Sequence, residues 1–143
     1  QSRPARLIII GDGFREGALR ELVTELGLEQ DVAFTGFVQN PFAYMSRASV
    51  FVLSSVHEGL PGVLIQAMAC GCPVVSTDCP HGPREILDNG TYGPLVPVGD
   101  VAALSDAVNE VLNHPPMRET MMQRAALFDV DLIIDEYRAR LQF

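Results

Sequence analysis

The residues whose types and spacing suit chemistry lie between Val50 and Leu87, in the stretch VFVLSSVHEGLPGVLIQAMACGCPVVSTDCPHGPREIL. A β-rich apolar run ends at Ser54-Ser55, and a loop then presents His57, Glu58, Gly59 and Leu60. Pro61 and Gly62 open the next helix. A helix leaves its first N–H groups without intrahelical partners. The amides of Gly62, Val63 and Leu64, at the positive end of the helix dipole, therefore form an anion site suited to a phosphate. Gly59 and Gly62 carry no side chain, so a ligand can approach their backbone closely. A carboxylate repels a neighbouring phosphate, so Glu58 must face something else. Sugar hydroxyls fit, because an ionised carboxylate is a strong acceptor. Gln66, eight residues further on and about a turn into the helix, has an amide that suits a ribose diol. The plainer reading of the same stretch is a surface loop with a solvated Glu.

Other chemistries find less support. His57 beside Glu58 invites an acid–base reading, but Ser54-Ser55 form no G-x-S-x-G elbow and no triad is evident. Cys70, Cys72 and Cys79 are odd in number, and a single C-x-C without a second pair does not match a zinc site, with or without His81. No metal is expected, and three unpaired thiols fit a reducing compartment. The formal net charge is −8 and the chain contains no Lys. A duplex nucleic-acid binder should carry a basic face, so nucleic acid is not an expected partner. Any cation on a phosphate must be an Arg.

The elements that position this stretch follow from pattern. With 143 residues, 48% hydrophobic and 20% charged, the chain is the size of one globular domain, residues 1–143. Ala5 to Ile10 is an unbroken apolar strand of the kind covered on both faces. Phe14 to Leu28 reads as a helix with Leu19, Leu22, Val23 and Leu26 on one face and Gly27 near its end. Val32 to Phe37 is a strand, and Asn40-Pro41 start a short helix to about Arg47. Strands at Val50–Ser54, Pro73–Thr77 and Tyr92–Val96 alternate with a helix at Gly62–Cys70 and a helical turn at Arg84–Leu87. Asp100 is an N-cap for Val101–Asn113, whose Val101, Leu104, Val108, Val111 and Leu112 keep helical spacing. Helices over Met117–Leu127 and Asp131–Leu141 follow Pro115-Pro116. Such alternation predicts an α/β fold, a Rossmann-like parallel sheet flanked by helices, with ligands at the carboxyl ends of the strands. No run of about 20 apolar residues could span a membrane. No signal peptide is evident, and the abrupt opening into a strand reads as an excised piece.

The residues from Glu58 to Val75 closely resemble the pattern E-G-F/L-x-x-x-x-x-E-A-x-A-x-G-x-P-V-V/I. This is the donor-site signature of the retaining glycosyltransferases of family 4, the group 1 transferases, which have the GT-B fold. Ile10 to Gly13, Phe34 to Val38, Thr77-Asp78, Gly82 to Ile86, Gly93 to Pro97 and Gly99-Asp100 are similar to that family in the same order. The resemblance covers nearly the whole chain. It implies the C-terminal half of the fold, a nucleotide-sugar-binding domain lacking its first strand-loop unit, with the N-terminal acceptor domain absent. It also implies a hexosyltransferase-type enzyme, inactive as this piece alone. By position, Glu58 would meet the transferred sugar's hydroxyls as the catalytic residue. Gly59 and Leu60 would offer backbone N–H groups to sugar or diphosphate, with Gly62 and Val63 beyond them. Gln66 would bind the ribose, Phe37 and Val38 would meet the base through backbone groups, and Gly11 and Gly13 would line the cleft. At His57 the family pattern leaves the residue open, which favours a loop role.

The resemblance implies no cofactor and no metal. The partners are a nucleoside diphosphate sugar, UDP-sugar first and GDP-mannose second, and the N-terminal domain. The full enzyme would be cytoplasmic and compatible with peripheral association at the inner membrane surface. Transfer would retain anomeric configuration on the front face, without a covalent nucleophile, the leaving phosphate helping to take the acceptor proton. Two departures stand out. The family's second Glu is Gln66 here, and the family's diphosphate-binding Arg and Lys lie on the strand-loop unit that the chain lacks, leaving Arg15 and Arg84 as the nearest cations. Rival readings are a nicotinamide enzyme on Gly11-x-Gly13-x-x-x-Gly17, a sugar-nucleotide epimerase half, and a catalytically inactive nucleotide-sugar-binding domain. A nicotinamide enzyme wants an acidic residue after the second strand, where this chain has Gly36-Phe37-Val38.

Gln66 gives a test. A neutral amide forgoes the stronger hydrogen bond of a carboxylate but avoids repelling the phosphates. In the full-length enzyme Gln66→Glu is expected to change donor affinity by no more than about 1 kcal/mol, near the net worth of one hydrogen bond. Calorimetry should show Gln66→Leu weakening a ribonucleotide more than its 2′-deoxy counterpart. Equal losses would remove the ribose role.

Overall fold

A computed structural model describes residues 4–141. The elements run β1 (Leu7–Ile9), α1 (Glu16–Glu25), β2 (Val32–Phe34), α2 (Phe42–Met45), β3 (Phe51–Leu53), α3 (Gly62–Ala69), β4 (Val74–Thr77), α4 (Pro83–Ile86), β5 (Leu95–Val96), α5 (Val101–Asn113), α6 (Arg118–Ala126) and α7 (Val130–Leu141). Every predicted strand and helix is present, most of them trimmed at the ends, and all strand pairs are parallel. The chain divides into two compact units at Pro41/Phe42. The ladders divide likewise, β1-β2 in one unit and β3-β4-β5 in the other.

In the first unit the apolar run predicted for a strand covered on both faces is half open, with Leu7 51% and Ile8 49% exposed. The unit holds one helix, and one helix can cover only one face of a two-stranded ladder. α1 is shorter than the predicted Phe14–Leu28, and Leu19, Leu22 and Leu26 stay exposed. Arg20 of α1 lies over the Phe34 ring at 4.4 Å. Just beyond the carboxyl ends of the strands, the Gly11 amide donates to the Gly36 carbonyl at 2.9 Å in an antiparallel bridge, and both strands end earlier than predicted.

The second unit is built on β4. All four of its residues are buried, with β3 on one side and β5 on the other. Val74 and Cys72 join Leu64, Ala67 and Met68 of α3, Ile86 of α4, Leu87, and Met121 and Ala125 of α6 in one core. Apolar side chains of this size contribute about 1.5–3 kcal/mol each when fully buried. Helix ends are fixed by local chemistry. Asp100 accepts from the Ala103 amide at 2.9 Å as the predicted N-cap of α5, and Asp129 accepts from the Asp131 amide at 2.9 Å at the start of α7. α3 closes at Gly71, whose φ of +71° lets its amide reach the Met68 carbonyl (2.8 Å) while Cys72 reaches that of Ala67 (3.0 Å), a Schellman closure. α1 ends the same way at Gly27. α4 begins at Pro83, one residue before the predicted turn, because proline is preorganised for the first helical position. α7 buries none of its residues.

Two arginines of α6 hold three other helices, α2, α3 and α4, by their carboxyl ends. Arg118 donates to the carbonyls of Cys70 (2.8 Å) and Ser46 (3.3 Å), after α3 and α2. Arg124 donates to those of Glu85 (2.7 Å) and Ile86 (2.9 Å) at the end of α4, and its guanidinium stacks over Tyr92 and Phe128. A cation there meets both the unpaired carbonyls and the negative end of the dipole.

Cys70, Cys72 and Cys79 are free thiols, and Cys72 and Cys79 are buried. Burial, with Cys70 beside it, pushes the Cys72 thiol up to about 11, against smaller opposing effects of Arg118 and a hydrogen bond from the Phe51 backbone. The folded protein therefore keeps this proton to about pH 11, whereas the unfolded chain releases it near 9.0. Proton linkage makes this contribution to stability full below about pH 9 and lost as pH rises through about 11. Thermal unfolding should show Tm falling over that window, and a flatter decline in Cys72→Ala. Parallel slopes would assign the decline elsewhere.

Candidate functional site

In the second unit, two loops leave the carboxyl ends of the neighbouring parallel strands β3 and β4. The first, residues 54–61, leads into α3; the second, residues 78–82, leads into α4. This is the edge at which open α/β sheets bind ligands.

Glu58 sits half-buried in the first loop. Its Oε1 accepts from the Ser55 hydroxyl at 2.6 Å. The Ser55 carbonyl in turn accepts from the buried Thr77 hydroxyl at 2.5 Å, and the same hydroxyl lies 3.3 Å from the Leu53 carbonyl. The last residue of β4 is thus tied to the start of the loop.

The second loop is pressed against the first. Gly82 has φ +73° and is buried. A Cβ there would collide with the Gly59 carbonyl oxygen and the Pro61 ring and would stand 3.1 Å from the Leu60 Cα. Only glycine fits. His81 beside it also has positive φ (66°), a strained conformation for a residue with a side chain. Its ring meets that of His57 edge-on, with centroids 6.2 Å apart. Asp78 and Arg84 form an ion pair across the second loop. The loops border an open pocket of about 970 Å³ lined by Gly59, Leu60, Asp78, His81, Arg84 and Arg124 among others.

The predicted residues fall as follows. Glu58, Gly59, Leu60, Gly62, Val63 and Gln66 lie together on the first loop and the start of α3. Gly59 and Leu60 line the pocket; Glu58, Gly62, Val63 and Gln66 do not. Of the amides expected to be free at the helix start, that of Leu64 is not. It donates to the Pro61 carbonyl at 2.9 Å, because the first turn is wound tightly, and the amides of Gly62 and Val63 meet no acceptor among the described residues. Gly11, Gly13, Phe37 and Val38 belong to the first unit, at the carboxyl ends of β1 and β2, where Phe37 is 78% exposed. Arg84 is engaged by Asp78, and Arg15 lies by the Phe14 ring at 5.6 Å.

Sequence reasoning gave no site role to Ser55, Thr77, His81 or Asp78. Ser55 carried a usable signal, a hydroxyl donor three residues before the Glu58 carboxylate in the same loop. Thr77 carried none, because its partner is 22 residues away.

Comparison with known proteins bears on this arrangement. A family model described as "Glycosyl transferases group 1" matches residues 1–114. A 4-alpha-N-acetylgalactosaminyltransferase of Campylobacter jejuni, acting on N-acetylgalactosamine-N,N'-diacetylbacillosaminyl-diphospho-undecaprenol, is 35% identical over 120 residues, 84% of this chain and 33% of that protein. The lipopolysaccharide core biosynthesis glycosyltransferase LpsE of Rhizobium meliloti is 31% identical over 136 residues, 92% of this chain and 40% of that protein. The chain thus spans about a third to two fifths of these relatives' length. Among solved structures, HepE of Anabaena in complex with UDP superposes with a TM-score of 0.82 at 27% identity, over 96% of this chain and 41% of that one. The galactosyltransferase WaaB gives 0.83 at 28% identity, over 96% of this chain and 40% of that one.

The packing of the two loops predicts a contrast between neighbouring glycines. Gly82→Ala combines a positive φ with a backbone collision and should cost at least about 2 kcal/mol of stability. Gly59→Ala meets nothing within 4 Å and should cost less than about 0.5 kcal/mol. Urea unfolding of both variants measures this, and equal costs would contradict the packing.

Proposed function

The chain belongs to the group 1 glycosyl transferases, and from that membership we propose that it is the donor-binding part of an enzyme moving a sugar from a nucleoside diphosphate to a hydroxyl acceptor, with retention. The observation that carries this reading is the pairing on one loop of a carboxylate held by Ser55 and the open amides of Gly62 and Val63 at the start of α3. The amides suit a diphosphate, and the carboxylate suits the hydroxyls of the sugar attached to it.

In this reading the diphosphate of the donor lies at the α3 start, beside Gly59 and Leu60. As the anomeric bond breaks, negative charge grows on the leaving phosphate, and preorganised amides stabilise it with no solvent reorganisation and no metal. Glu58 orients the sugar through its hydroxyls and favours the positive charge developing on the ring. Gln66, exposed on α3, meets the ribose. Gly11, Gly13, Phe37 and Val38, at the carboxyl ends of β1 and β2, keep the role that the resemblance implies, backbone contact with the donor and its base. UDP is the favoured carrier, since UDP is bound by the Anabaena relative.

The acceptor site belongs in this reading to a further domain of the full enzyme. In this reading the exposed apolar side chains of β1 and α1 suit contact with further protein. Among the described residues no helix is long and apolar enough to cross a membrane. The acceptor named for the Campylobacter relative, a saccharide on diphospho-undecaprenol, favours work at a membrane surface.

In the full-length enzyme Glu58→Ala should reduce turnover by roughly 10²-fold or more, the scale of losing one key transition-state interaction. Affinity for the nucleoside diphosphate should fall far less. Near-normal turnover would sink the assignment, and an enzyme without transfer activity before mutation would favour a binding domain that has lost catalysis.

A further inference from the structure

We propose that Ser55 is a positioning residue, which fixes the carboxylate of Glu58 so that Oε2 faces the donor sugar. The proposal rests on the reading of Glu58 given under the proposed function. It draws on three observations that converge on one side chain.

The first is the bond itself. Ser55 Oγ donates to Glu58 Oε1 at 2.6 Å. A hydroxyl has one proton to give, and Ser55 spends it on the carboxylate, in a short charge-assisted bond of the stronger class. With Oε1 engaged, Oε2 is the oxygen offered to an incoming hydroxyl. Ser54, the neighbouring serine, is exposed.

The second is what holds Ser55. A hydroxyl on a freely moving loop would fix nothing. The Ser55 carbonyl accepts from Thr77 Oγ1 at 2.5 Å, and Thr77 is 4% exposed on a strand paired on both sides. The rigid centre of the sheet therefore sets the position of Ser55, and Ser55 sets the carboxylate.

The third lies on the far side of Glu58. The next residue, Gly59, has its carbonyl packed against the Cα of Gly82 so closely that no Cβ fits between them. The loop is anchored just before and just after the carboxylate. A glutamate free in solvent would have to give up side-chain rotamers when it meets a sugar. Here that ordering is done in the unliganded protein, which is how a supporting residue raises rate without touching substrate.

The test compares Ser55→Ala, Ser55→Thr, Glu58→Ala and the double variant Ser55→Ala/Glu58→Ala in the full-length enzyme. It reads kcat and KM for the sugar donor, Kd for the nucleoside diphosphate by calorimetry, and Tm. Ser55→Ala is expected to lower kcat about 10-fold, the size of one lost hydrogen bond to a charged group. Its Kd for the nucleoside diphosphate should stay within about twofold, since that ligand lacks the sugar that Glu58 serves. Ser55→Thr keeps the hydroxyl and should recover most of the rate, which a purely packing role for Ser55 would not produce. In the Glu58→Ala background, Ser55→Ala should have less than about a twofold further effect, because a residue acting only through another is silent once that partner is gone. An unchanged kcat in Ser55→Ala, or an equal loss with and without Glu58, overturns the positioning role while leaving Glu58 on the sugar. Full turnover in Glu58→Ala overturns the reading of Glu58 and the role of Ser55 together. Loss of nucleoside diphosphate binding in Ser55→Ala and Ser55→Thr alike, with lowered Tm, makes Ser55 a structural residue and also overturns the proposal.

Discussion

A hydroxyl buried at the end of β4 constrains everything around the candidate site. Thr77 is buried, and leaving its hydroxyl unpaired would cost about 1–3 kcal/mol. The acceptors within reach are the carbonyls of Leu53 and Ser55 on the adjoining strand end. Meeting that need ties the last residue of β4 to the end of β3 and the start of the first loop. The loop then carries Ser55, Glu58 and Gly59 to set positions, and Gly82 closes on it from the second loop. One satisfied polar group in the core is thus linked through Ser55 to the carboxylate of Glu58 on the loop.

The two ends of α3 do opposite work. At its carboxyl end the orphan carbonyls are consumed, by the closure at Gly71 and by Arg118. At its amino end the Leu64 amide turns inward to Pro61, while Gly62 and Val63 remain open. Polar capacity is spent where the helix meets protein and kept at Gly62 and Val63, which are exposed. In a chain with no Lys, arginine carries out this satisfaction. Arg118 and Arg124 bind carbonyls of three helices, and Arg84 binds Asp78. A planar guanidinium with five donors can reach two carbonyls at once, which an ammonium group does less well.

The two units differ in how well they cover themselves. The second closes a core around β4, whereas the first leaves Leu7, Ile8 and much of the apolar side of α1 open. The relatives are two to three times as long as this chain, which spans 33–40% of them.

The sequence by itself determined the order and type of the elements, the parallel pairing, and the segment that carries chemistry. It did so because those depend on local periodicity, on capping residues such as Asp100, on Gly27 at its helix end, and on a motif whose spacing is rigid. The family membership was legible for the same reason, since Glu58 to Val75 forms one continuous signature. Tertiary structure alone decided which polar groups are spent and which are left open. The Leu64 amide looked free because sequence cannot show how tightly a first turn winds. Strand β1 looked buried because an apolar run states what a strand needs, not whether a second layer is there to supply it. Thr77 looked like ordinary strand residue until it was placed beside Ser55, 22 residues earlier in the chain, and Gly82 looked like a loop glycine until it was packed under the Gly59 carbonyl. Contacts between loops of different strands are set by the sheet's register, and register is a property of the folded core rather than of any one segment.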